Sequence, residues 1–258
     1  MTLLRSRFMA LALVFTLTGG QAHAQAPKCA SAADRACMAA QILADSDQME
    51  NAQWKDQALR ELAISLTYDK RVDDAIALVP KISNPDTQAM TIRGIGMTAA
   101  LYGRDAPEEL KKTFAKLSKT ADGIALPAAN AIAQTYIAMA QAFAGLDDDA
   151  WKTASAMTND ALRHKAFGET AEIQAERGDV VKAMASISKI DVASFRNKSY
   201  DKVADILVKQ GKYDAALQSA QMIDNPAKRA QALQNILHAQ EEKNRGQRQD
   251  ILNGATPE

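Results

Sequence analysis

The chain has 258 residues, with 31 basic and 31 acidic side chains, 47% hydrophobic residues and only 5% aromatic ones. That balance leaves no electrostatic footprint for nucleic acid, and the length limits the chain to one or two ordinary domains. Alanine dominates, apolar residues recur at spacings of three and four, and no alternating run of Val, Ile and Thr is long enough for a strand, so the expected fold class is all-α.

The first element is not part of the fold. Residues 1–24 begin with Arg5 and Arg7, continue with an apolar run from Phe8 to Leu17, and end in Ala22-His23-Ala24. This is the layout of a secretory signal peptide cleaved after Ala24. The run is shorter than the roughly 20 apolar residues that span a bilayer, and no later run reaches that length, so no transmembrane segment is expected. A lipid anchor is the rival for an exported chain with an early cysteine, but Lys28 beside Cys29 does not fit a lipoprotein cleavage site. Removing Arg5 and Arg7 leaves 29 basic against 31 acidic residues, a net charge near −2. The chain is therefore expected to be periplasmic or secreted.

Residues 25–55 read as an N-terminal cap containing both cysteines, Cys29 and Cys37. Inside one helix they would stand roughly 12 Å apart at 1.5 Å per residue, too far for a disulfide. Pairing requires Cys29 to lie outside the helix, and the capping-box-like Ser31–Asp34 makes that available. An even cysteine count in an oxidising compartment favours a structural disulfide. A redox pair or metal ligands are the alternatives; the spacing is not C-x-x-C and no His lies nearby.

From residue 56 to 240 the chain repeats. Gly145, Gly178 and Gly211 stand 33 residues apart, followed five places later by Ala150, Ala183 and Ala216. Met157, Ile190 and Ile223 come seven later, and Arg163, Arg196 and Arg229 six after those. Gly103 and Lys70 hold the glycine place in two earlier copies. The interval from Gly103 to Gly145 is 42, so one copy carries nine extra residues, and the loop-like Ser118–Pro127 is their expected place. Upstream runs a bulky column (Leu59, Ile92, Phe167, Tyr200, Leu233, with Gln134 dissenting). Three places on comes a second (Leu62, Ile95, Ile137, Thr170, Val203, Ile236), and then a small one (Ala63, Gly96, Ala138, Ala171, Ala204, broken by Leu237). Large residues three apart followed by a small one make a helix face that a second helix approaches closely. The glycine ends that helix, and Asn84-Pro85 and Asn225-Pro226 close a copy. Each copy is one helical hairpin that must stack on its neighbours to bury both faces.

The spacing Tyr200–Val203–Ala204–Leu207–Gly211–Tyr213–Ala216–Ala220–Ile223 resembles a tetratricopeptide repeat, over about residues 56–240. Three features depart from it: a period of 33 rather than 34, inverted order at Ala220 and Ile223, and an early Pro226. The resemblance implies a right-handed αα-solenoid of about five 33-residue helical hairpins, with the first helix of each lining a concave groove. Residues 241–258 are expected to be a disordered polar tail.

No catalytic constellation emerges, so no enzyme activity, cofactor or metal is expected. His164 and His238, the histidines left after cleavage, have no partners at ligand spacing. Arg93–Met97 ("RGIGM") follows no strand, and Gly96 is explained by the small column, so it is not a phosphate loop. Asp147–Asp149 fall where acidic residues favour a helix N-terminus. The surface is the better candidate. By the resemblance, three rows face the groove: Ile64, Met97, Met139, Glu172, Asp205; Arg60, Arg93, Thr135, Gly168, Asp201; and Gln57, Met90, Ile132, Lys165, Lys198. The N-terminal half, with Arg60, Ile64, Met90, Arg93, Met97, Ile132 and Met139, is apolar and methionine-bearing, while the C-terminal half is acidic and charged. Methionine adapts to irregular apolar partners, although Met97, Met139 and Ile132 packed between copies is the competing reading. The groove lacks the Asn and Lys that clamp a C-terminal carboxylate in this family. The expected function is an interaction module holding a peptide or protein segment in the groove. The alternatives are a holdase for envelope proteins and, further off, a cell-wall-acting enzyme.

Overall fold

The computed structural model describes residues 28–252, with side chains through residue 245. The expected signal peptide lies outside the described residues. Among these residues every regular element is helical: α1 (Arg35–Asp47), α2 (Ala52–Tyr68), α3 (Val72–Leu78) with a 3-10 turn over Val79–Lys81, α4 (Pro85–Tyr102), α5 (Pro107–Asp122), α6 (Pro127–Phe143), α7 (Asp147–Ser155), α8 (Asp160–Glu176), α9 (Val180–Ser188), α10 (Ala193–Lys209), α11 (Tyr213–Gln221) and α12 (Pro226–Leu252). The fold is all-α. None of these helices is long and apolar enough to cross a membrane.

From α2 onward long and short helices alternate. Each long helix packs on the next long one, α2 on α4, α4 on α6, α6 on α8, α8 on α10 and α10 on α12, and also on the shorter helix that follows it. The repeat columns build this packing. Leu59, Ile92, Phe167 and Tyr200 are buried, as are the second bulky column from Leu62 to Ile236 and the small residues Ala63, Ala138, Ala171 and Ala204. At Gly96 an added Cβ would sit 3.2 Å from the Ala140 Cβ, which is why that place in the small column stays small.

The turns follow from the same periodicity. Gly145, Gly178 and Gly211 have φ of 87°, 86° and 72°, and Lys70 holds the same left-handed conformation at 62°. Each closes a six-residue C-terminal motif: the amide of Leu146, Asp179, Lys212 or Arg71 donates to the carbonyl of Gln141, Gln174, Leu207 or Leu66. Gly103 departs from the pattern. Its φ is −111°, and four residues rather than three separate α4 from α5, so the turn needs no left-handed residue.

Asparagines open four of the six long helices, α2, α4, α8 and α12, while Leu126 and Val192 precede α6 and α10 without a side-chain cap. The side chains of Asn51, Asn84, Asn159 and Asn225 accept from the amides of Trp54, Thr87, Leu162 and Lys228 at 2.9–3.0 Å. The Asn-Pro pairs expected to close a copy therefore start the next helix, with asparagine as the cap and Pro85 or Pro226 at the first helical position. The repeated arginines tie the joint from the other side: Nη1 of Arg163, Arg196 and Arg229 donates to the carbonyl of Met157, Ile190 and Ile223.

Three expectations change. The nine extra residues do not form a loop, because Ser118–Asp122 is helical and only residues 123–126 connect α5 to α6; the insertion lengthens α5 to 16 residues. The cap of α1 is Asp34, whose side chain accepts from the Cys37 amide at 2.9 Å, while Ser31 accepts from Ala33 in a turn upstream. Residues 241–252 continue α12 through Gly246, because the Glu, Gln, Lys and Arg around that glycine are good helix formers and no proline intervenes; residues 253–258 lie outside the described residues. With Cys29 outside α1 and Cys37 in its first turn, the two Cα atoms stand 5.7 Å apart, within disulfide distance.

A buried polar network joins α7, α8 and α9. Asp147, 3% exposed, accepts from Gln174 Nε2 at 2.8 Å, Arg177 Nη2 at 3.0 Å and Lys182 Nζ at 2.8 Å. Trp151 Nε1 donates to Ser186 Oγ, and that hydroxyl donates to Gln174 Oε1 at 2.6 Å. Burial alone would push the Asp147 carboxyl up; hydrogen bonds from Arg177, Lys182 and Gln174 together outweigh it and hold the carboxyl below the usual range.

Candidate functional site

The three rows that the repeat spacing assigns to a groove lie on the long helices α2, α4, α6, α8 and α10. At their N-terminal end they are partly open. Arg93 is exposed with its guanidinium 5.4 Å from the centre of the Tyr136 ring, and Arg60, Ile64, Met90 and Met97 are half-buried. Ile64 rests on α4, where a Cβ on Gly94 would come within 2.7 Å of it. Arg60 reaches Glu61 at 3.7 Å, while its Nε is buried without a hydrogen-bond partner among the described residues.

In the middle the rows close. Thr135 and Gly168 are buried, and Met139 is 9% exposed against Ala142, Ala150 and Ile173. Met97 and Ile132 are partly buried against the core formed by α2 to α6. The space at Gly168 is taken by the neighbouring helix, since an added Cβ there would stand 2.6 Å from Ser199 Oγ. Met139 thus belongs to the core, and the apolar surface left to a partner centres on Ile64, Met90, Arg93 and Met97.

Beyond the closure the face is acidic. Glu172, Asp201 and Asp205 are half-buried, with Lys165 and Lys198 exposed beside them. Burial and the neighbouring Glu169 push the Glu172 carboxyl above its usual range, with Lys202 only partly opposing them. Burial and Asp205 do the same to Asp201. A nearby positive charge would relieve both raised carboxyls, Glu172 and Asp201, so this end suits a cationic partner better than an anionic one.

The other candidates from the sequence fall apart spatially. Gly94 and Gly96 of the "RGIGM" stretch sit within α4 rather than at a phosphate-binding turn. Among the described residues no three His, Cys, Asp or Glu side chains converge as metal ligands. His164 is 3% exposed, packs against Phe195 at 5.6 Å between ring centres, and leaves Nδ1 without a partner among the described residues. His238 stands on exposed α12, 3.7 Å from Glu241. Sequence spacing had marked Asp147 only as a helix-start residue; its partners Gln174, Arg177 and Lys182 lie 27 to 35 residues on, one repeat away, and the 33-residue period was the signal that could have found them.

No family model, no curated protein and no solved structure matches the chain.

Proposed function

We propose that this is an exported interaction module, a right-handed αα-solenoid of about five hairpins of the tetratricopeptide-like kind. It holds a peptide or protein segment on the face of its long helices. The alternation of long and short helices at a 33-residue period supports the solenoid reading, and the left-handed turn residues recurring at that period support the tetratricopeptide likeness. Export rests on the layout of residues 1–24 and on the cysteine pair at bonding distance, which suits an oxidising compartment.

One observation carries the binding proposal: half-buried apolar side chains on α2 and α4 surround the exposed Arg93, and the same face turns acidic on α8 and α10. A segment with an apolar anchor and an acidic residue at one end and basic residues at the other complements this face. Photocrosslinkers at Met90 and Arg93, compared with one at Lys112 on α5, test it. Capture of one dominant partner from the first two sites alone supports the reading, and capture from Lys112 alone refutes it.

The holdase reading has its own motive. Trp54, Tyr68, Leu101 and Tyr102 are each more than half exposed near the N-terminal end of the array. It predicts suppression of aggregation of several unrelated unfolded proteins, lost together in a Trp54→Ser, Tyr102→Ser double variant.

A further inference from the structure

The nine-residue insertion makes α5 16 residues long, where α3, α7, α9 and α11 have 7 to 9. Helices α5 and α7 both pack on α6. Between them opens a cleft of about 1060 Å³, floored by α6 and walled by Phe114 and Ile124 on one side and Met157 on the other. At about 100° per residue, Asn130, Gln134 and Gln141 fall within about 40° of one another on α6, opposite Ile132 and Met139. The cleft is therefore distinct from the long-helix face on which the proposed function rests.

At Gln134 the floor is polar where the repeat calls for an apolar residue, since other copies carry Leu59, Ile92, Phe167, Tyr200 and Leu233 at that place. The place of Gln141 is mixed, held by Leu66, Ala99 and Leu207 in some copies and by Gln174 and Gln240 in others. One copy later, Gln174 uses both ends of its carboxamide, accepting from Ser186 and donating to Asp147. Gln141 accepts from Thr153 at 2.8 Å, Thr153 being the counterpart of Ser186. Its Nε2 has no acceptor among the described residues, although the residue is only 7% exposed and lines the cleft. The buried side-chain atoms without a partner among the described residues are Arg60 Nε, His164 Nδ1 and Thr170 Oγ1, so the Gln141 nitrogen is in contact with solvent and free to donate to a ligand. The bonds of Gln134 are long: it accepts from Ser118 Oγ at 3.2 Å and donates to Asp122 at 3.2 Å and to the Ser118 carbonyl at 3.5 Å. They are easily exchanged for a ligand's.

The walls carry Lys111 and Lys152 against Asp122 and Asp149, so the cleft has no net charge to attract an ion. Its volume lies just above the range of about 300–1,000 Å³ for small-molecule sites, and it is open to solvent rather than enclosed. A carboxamide offers a donor and an acceptor side by side, as a peptide group does. We propose that this cleft binds an uncharged, extended peptide segment, with Gln134 and Gln141 pairing to its main chain and the exposed Ala115, Pro127, Ala128 and Ala156 contacting its side chains.

Phage-displayed random linear peptides, panned on the purified chain lacking residues 1–24, test the proposal. Synthetic copies of enriched peptides are then titrated against the wild type, Ala128→Arg, Gln134→Leu and, as control, Lys112→Ala. Ala128 is exposed in the first turn of α6 and lines the cleft, so its arginine fills the space without disturbing the core. The expected result is enrichment of peptides without charged residues, weakened about tenfold or more by Ala128→Arg and by Gln134→Leu and unaffected by Lys112→Ala. If Gln134→Leu fails to fold, Ala128→Arg carries the test alone. Failure to enrich any peptide overturns the proposal, as does undiminished binding to Ala128→Arg. Peptides that bind Ala128→Arg normally but lose Arg93→Glu would place recognition on the long-helix face, overturning the cleft and supporting the proposed function.

Discussion

At the scale of single residues, the structure turns on carboxyl groups in opposite situations. Asp147 is buried and bonded to Arg177, Lys182 and Gln174, and its carboxyl lies below the usual range. A depressed folded value means that its contribution is fully present above the unfolded pKa of about 3.9 and is lost as pH falls through the folded one. Asp147→Ala should cost about 3 kcal/mol in urea unfolding at pH 7. That is the low end for a broken buried pair, because Lys182 stands partly in water. The difference from wild type should shrink as the pH is lowered through the folded value. Glu172 is the reverse case: burial and Glu169 raise its pKa. Its ionisation opposes folding above the folded value, and the opposition is relieved as pH falls through it. Glu172→Gln should therefore stabilise the protein at pH 7, by about 0.5 kcal/mol for a partly exposed group. The gain should vanish below about pH 4, where the unfolded carboxyl is also protonated. A variant that is neutral at pH 7 would show that the charged end of the face is not strained.

At the scale of elements, the helix joints carry the repeat. Gly211 sits at φ 72° with nothing within 4 Å of an added Cβ, so Gly211→Ala tests the backbone conformation alone. It should lower stability by about 1 kcal/mol, the cost of a left-handed alanine. Lys70 adopts the same conformation without being glycine, and Lys70→Gly should raise stability by up to about 0.5 kcal/mol once the added freedom of the unfolded chain is discounted. Both are read from denaturant midpoints at constant m. The columns of large and small residues were legible in the sequence because burial at one face recurs at the helix period, and Leu59, Ile92, Phe167 and Tyr200 are core as those columns required. The inserted segment misled for an opposite reason. Asp122, Gly123 and Pro127 carry turn chemistry, but Leu110, Phe114, Leu117 and Ala121 keep a helical apolar stripe, and burying it against the neighbouring helices decides the conformation.

At the scale of the whole molecule, contacts run from each long helix to the next, so stability should be distributed like that of a linear array. Helix α6 packs on α4, α5, α7 and α8, whereas α1 packs chiefly on α2. Hydrogen exchange should be slowest in α4, α6 and α8 and fastest in α1 and beyond residue 240, in graded rather than all-or-none order. Uniform protection across α2 to α12 would instead indicate one cooperative unit. The candidate face was legible only in part. Row positions for Arg60, Ile64, Met90, Arg93 and Met97 could be counted from the period. That Met139, Thr135 and Gly168 close the middle could not, because closure depends on how near the adjacent helices approach.

The sequence by itself determined that the chain is helical, where the turns at Lys70, Gly145, Gly178 and Gly211 fall and which columns form the core, since these depend on local conformational preference and on a burial pattern that repeats every 33 residues. Tertiary structure alone decided three things: that Asp147 is a buried junction, that the insertion extends a helix, and that Gln134 and Gln141 floor a cleft. Each depends on side chains a full repeat or an inserted helix apart, and periodicity along one helix does not encode the distance between two.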